Sequence, residues 1–127
     1  MSKNFLEKIA ANETVTIDFI GDSITYGEIH CRREQTIVAR FCELLARRFP
    51  KCQVNRYDGI PIAGSAFPMK CFEGPVEISH GEGGACIDVI RNGIGGSTVK
   101  KACERPQDYA GELANKKSTI LFFLCLE

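Results

Sequence analysis

The sequence predicts an α/β domain built around a mainly parallel sheet, and three observations carry that expectation. Strand-like and helix-like segments alternate along the chain, and no internal repeat interrupts them. The run Val15–Ile20 is rich in β-branched residues and ends at Gly21, the pattern of a buried strand entering a tight turn. Ser118 to Leu126 is almost continuously apolar, as a central strand covered on both faces must be. A length of 127 residues suits one domain and leaves little room for a second.

The elements follow in order. Phe5, Leu6, Ile9 and Ala10 recur at helical spacing and predict a short first helix. After the Val15–Ile20 strand, Ile37, Val38, Phe41, Leu44, Leu45 and Phe49 share one face of a helix from about Glu34 to Arg48, which Pro50 stops. Cys52 to Tyr57 is a candidate second strand. Between Asp58 and Gly84 glycine and proline crowd the sequence, so this stretch reads mainly as loop, with Pro75–Ser79 a possible strand. Cys86–Ile90 returns to strand character. A glycine-rich turn, Asn92 to Gly96, then leads into a helix capped by Ser97 or Thr98, and Pro106 suits the first turn of another helix reaching about Ala114.

Composition narrows the function. Lysine and arginine total 16 and aspartate and glutamate total 16, so the chain lacks the basic excess that phosphate binding demands. Nucleic acid is therefore excluded as a partner, and doublets such as Arg32-Arg33 read as solvated charge. Seven widely spaced cysteines with no Cys-x-x-Cys pair signal neither a disulfide framework nor a zinc site. Reduced thiols point to the cytoplasm. The N-terminus has no apolar signal segment, and Ile120–Leu126 is far too short to span a bilayer.

Two turns carry chemistry. The first, Gly21-Asp22-Ser23-Ile24-Thr25-Tyr26-Gly27, directly follows a strand whose carboxyl end should border the ligand crevice of a parallel sheet. A serine there can present its hydroxyl to the crevice and its N–H to a developing oxyanion. The second, Asn92-Gly93-Ile94-Gly95-Gly96-Ser97-Thr98, is a glycine turn before a helix N-terminus, where negative charge is favoured. A phosphate-cradling loop is a rival reading of the second turn. Its glycines miss the Gly-x-Gly-x-x-Gly spacing, and no P-loop lysine precedes Ser97-Thr98.

The first turn resembles the opening sequence block of the SGNH (GDSL-type) hydrolases, and the second resembles that family's next block. The resemblance implies a three-layer α/β/α, flavodoxin-like fold and hydrolysis of an ester through an acyl-enzyme. Ser23 would be the nucleophile and one oxyanion donor, Gly96 a second donor through its N–H, and Asp22, Thr25 and Asn92 supporting residues of the turns. It implies no metal and no organic cofactor. The substrate would be a small-molecule ester, with acylated carbohydrates and lipids among those that related folds accept.

Two further blocks of the family, Gly-x-Asn-Asp and Asp-x-x-His, have no counterpart in these residues. The expectation is thus a single incomplete domain spanning residues 1–127, its C-terminal part missing, catalytically weak alone and prone to self-association through the exposed edge of Ile120–Leu126. His30 and His80 are the available imidazoles, each better read as a surface or substrate-facing residue than as the general base. Two alternatives stand beside this reading: a non-catalytic module holding an anion or a sugar, and an inactive truncated product.

Overall fold

The computed structural model describes residues 3–21, 23–28, 31–61, 70–93, 100, 104 and 120–124. The architecture is a mixed α/β fold around a mostly parallel sheet. Helix α1 (Phe5–Ala10) begins with a capping box, in which Asn4 Oδ1 accepts from the Glu7 N–H and Glu7 returns the bond to the Asn4 N–H. Strand β1 (Val15–Gly21) leads into a four-residue helix, α2 (Ser23–Tyr26). A 3-10 turn (Arg33–Gln35) precedes helix α3 (Ile37–Arg48), whose cap, Thr36, accepts from the Ala39 N–H at 3.2 Å. Strands β2 (Gln53–Pro61), β3 (Lys70–Ser79), β4 (Cys86–Gly93) and β5 (Ile120–Leu124) complete the order.

The sheet runs β3-β2-β4-β1-β5. All pairings are parallel except β2 with β3, which is antiparallel. The residues facing α1 and α3 alternate along the strands, as a pleated strand requires: Val15, Ile17 and Phe19 on β1, Ile87 and Val89 on β4, and Val54 on β2. Val38, Cys42 and Leu45 of α3 close this core. On the opposite face Thr16, Asn55, Asp88, Ile90 and Asn92 are also buried, so the sheet is covered on both sides. That second face is unusually polar. Asn55 Nδ2 donates to Asp88 Oδ1 at 3.1 Å and to the Cys86 sulfur at 3.3 Å, which satisfies part of what burial would otherwise leave unpaired.

Two expectations from sequence change. The stretch from Asp58 to Gly84 is mainly hairpin: β2 continues to Pro61 and β3 spans ten residues. Its glycine and proline mark a bulge, because Arg56 and Asp58 on β2 face Val76 and Glu73 on β3. Gly74 sits there at φ 126°, and a Cβ would meet the Arg56 carbonyl oxygen at 2.8 Å. Second, β5 is not central among the described strands; it pairs with β1 and ends the sheet order. Lys100 and Glu104 are helical and paired at 3.9 Å, within the span of the expected helix, whose expected start at Ser97 or Thr98 lies outside the described residues. The expected helix from Pro106 to Ala114 lies outside the described residues.

Cys31, Cys42, Cys52 and Cys86 are free thiols. Burial pushes the Cys42 thiol up to about 12 from its ordinary 9.0, and it raises Cys52 in the same direction. A thiol harder to ionise when folded favours the native state less as pH rises, so stability should fall between about 9 and 12. At pH 8 a maleimide should modify half-buried Cys31 in the native protein and spare Cys42 until denaturant is added. Peptide mass mapping reads both, and prompt native modification of Cys42 would contradict its place in the core.

Candidate functional site

The strand ends that lead into the two glycine-bearing turns lie side by side. β1 and β4 run parallel and in register to their last residues, where Gly21 pairs with Gly93. From this shared end the chain departs in opposite directions: β1 leads to β2, beyond β4, while β4 leads to β5, beyond β1. Adjacent strands whose connections diverge in this way open a crevice at their carboxyl ends, the usual ligand position of open α/β sheets. Helix α2 packs against both β1 and β4 at that edge.

Ser23 is the first residue of α2, two residues beyond Gly21, so its N–H makes no intrahelical bond. Thr25 is fully buried and Asn92 nearly so, which makes both parts of the scaffold of the turns. Gly27 follows α2 at φ 74°, a left-handed conformation that ends the helix and that a side chain would resist. Asp22, Gly96 and His30 lie outside the described residues. His80 is placed, and it is far away. It follows β3, whose Ser79 pairs with Val54, level with Val15 at the start of β1. Six residues of strand, roughly 20 Å, separate that level from Gly21. Its side chain is 86% exposed, with Nδ1 2.8 Å from Glu77 Oε1. The surface role expected for His80 holds, and a role as base to Ser23 does not.

Behind the crevice lies a cluster that sequence reading missed. Arg91 of β4 is fully buried and spends each of its three nitrogens on a different acceptor. Nε donates to Asp58 Oδ1 at 2.7 Å, Nη2 to Glu28 Oε2 at 2.7 Å, and Nη1 to the carbonyl oxygen of Tyr26. Its guanidinium also lies 5.2 Å from the centre of the Tyr26 ring. Asp58, itself fully buried, accepts from Arg56 Nε at 3.1 Å through both oxygens. Arg33 donates to Glu28 at 3.1 Å and to Glu73 at 2.8 Å, and stands 4.0 Å from Asp58. Burial would lower the Arg33 pKa, but hydrogen bonds to Glu73 and Glu28 and the charges of Glu28 and Asp58 outweigh it and hold the guanidinium above its ordinary value. Three cations thus balance three carboxylates in one network that runs from buried Asp58, Arg56 and Arg91 out to exposed Glu73.

A signal for this cluster existed. Period-2 alternation places Arg91 on the same face as Ile87 and Val89, a core position where an unpaired arginine would be very costly. Arg33, by contrast, sits in a doublet that reads as surface charge, and nothing local distinguishes it.

Searches against protein-family models, curated proteins and solved structures found no match to this chain. Among the described residues, no helix is long and apolar enough to cross a membrane, and no group of His, Cys, Asp and Glu is arranged to hold a metal ion.

Proposed function

We propose that this chain carries the nucleophile of a serine ester hydrolase resembling the SGNH family, with the reaction centred between the ends of β1 and β4. The observation that carries the reading is the in-register pairing of Gly21 with Gly93, which sets side by side the strand ends that lead into the two motif-bearing turns, at a divergence of connections. The three-layer, flavodoxin-like part of the proposal draws support from burial on both faces of the sheet. It also draws support from the order β4-β1-β5, which is a flavodoxin-like 2-1-3 once the β2-β3 hairpin is taken as an addition outside β4.

In this reading Ser23 Oγ attacks the carbonyl carbon of a small ester, an acylated carbohydrate or a lipid. The carbonyl electron pair moves onto oxygen, where the N–H groups of Ser23 and Gly96 receive it. Collapse expels the alcohol and leaves an acyl group on Ser23, which water then removes. The Ser23 proton passes to a base that is not His80. The free thiols of the described residues accord with a cytoplasmic setting, and the side of β5 that pairs with no described strand accords with self-association.

The test is covalent labelling. A fluorophosphonate should add to the folded protein at Ser23, located by peptide mass mapping, and the addition should be slow where no base assists the hydroxyl. A folded protein that takes up no adduct, or takes it on another serine, would reject the esterase reading and leave the turns as binding loops.

A further inference from the structure

We propose that Arg91 is the positioning residue of the crevice: it fixes the first turn to the strand that bears the second. The inference rests on the esterase reading for its chemical consequence, and on geometry alone for the positioning itself. Arg91 belongs to β4, two residues before Gly93, and its register partner is Phe19, two residues before Gly21. Its side chain crosses to the segment that leaves α2, gripping the Tyr26 carbonyl and the Glu28 carboxylate and lying against the Tyr26 ring. The end of α2 therefore cannot shift relative to β4 without breaking several charge-assisted bonds together.

Both carboxylates that Arg91 uses are themselves held from behind. Arg56 fixes Asp58, and Arg33 fixes Glu28 while tying it to Glu73 on β3. Stability alone is a poor explanation for such an arrangement. A well-packed apolar side chain at a buried ionic position is often as stabilising or more so, and the neighbouring core-facing residues Ile87 and Val89 are apolar already. What an apolar residue cannot supply is direction. A planar guanidinium with bonds at three nitrogens specifies one orientation of its partners, and a lysine in its place could not. Misplacement of reacting groups by about 1 Å can cost about 10²-fold in rate, so rigidity is worth most beside a nucleophile.

The experiment compares Arg91→Lys with the parent protein by fluorophosphonate labelling of Ser23 and by amide hydrogen exchange. Arg91→Lys keeps the charge and loses the fork. It should slow labelling by about 10²-fold and speed exchange across residues 23–28 before global unfolding. Leu45→Ala, which loosens the α3 core away from the turns, should lower overall stability while leaving the labelling rate of the folded protein unchanged. If Arg91→Lys does not fold, Glu28→Gln removes one arm of the fork at a partly exposed site and should give the same two changes in smaller measure. Unchanged exchange across residues 23–28 overturns the proposal, as does labelling as fast as in the parent. Should the parent itself take no label, the esterase reading falls, and exchange across residues 23–28 alone decides whether Arg91 positions the turn.

Discussion

Asp58→Asn should be the most destabilising single change outside the apolar core, lowering the free energy of unfolding by about 3–5 kcal/mol. Asp58 is fully buried and contacts Arg91 at 2.7 Å and Arg56 at 3.1 Å, with Arg33 at 4.0 Å. Asparagine keeps the shape and removes the charge. Arg56 and Arg91 would then remain in the interior with their main counter-ion gone, and it is the stranded charge rather than the lost attraction that dominates the cost. Small domains have about 5–15 kcal/mol of stability in total, so this loss would leave the variant marginal at room temperature. Glu13→Gln is the control. Glu13 pairs with Lys3 where both side chains are close to half exposed, and breaking such a pair should change stability by less than about 1 kcal/mol. Urea denaturation followed by far-UV circular dichroism reads both variants. An Asp58→Asn protein as stable as the Glu13→Gln control would mean that the network is not the strut described above.

How far the sequence disclosed this architecture depended on whether the signal was local. α1 and α3 were legible because their apolar spacing, and the Pro50 that stops α3, act within a turn or two of the chain. β1 was legible because β-branched residues run into a glycine. The β2-β3 hairpin was not. Its outer strand is an edge among the described strands, where Pro75 and Glu77 are tolerated because edge positions need not donate to a further strand, and so its composition resembles that of a loop. The candidate site divided in the same way. The two turns were visible as motifs, but their adjacency depends on β4 lying next to β1, a long-range pairing that no local pattern encodes. The network behind them joins residues from five separate segments, 28, 33, 56–58, 73 and 91, and charge read along the chain cannot reveal charge assembled across it.

Within the proposed mechanism the two turns should respond to mutation in different ways, and that difference is the sharpest functional test. Ser23→Ala removes the only atom able to form the covalent bond, so fluorophosphonate uptake should disappear altogether while the circular dichroism spectrum stays that of the parent. Gly96→Ala leaves the nucleophile in place and sets a methyl group where the main chain must approach the substrate oxygen. Phosphonylation should therefore persist but slow by about 10²–10³-fold, the usual consequence of losing one oxyanion donor. Reversible binding of an uncharged ester should hardly change, because the donor acts chiefly on charge that develops only in the transition state. The kinetics separate these outcomes, since the rate at saturating probe reports the chemical step and the half-saturating concentration reports binding. A Gly96→Ala protein with parental rate at saturation and weakened binding would reassign the second turn from oxyanion stabilisation to substrate recognition. Residual uptake in Ser23→Ala would move the nucleophile elsewhere and, with it, the centre of the crevice.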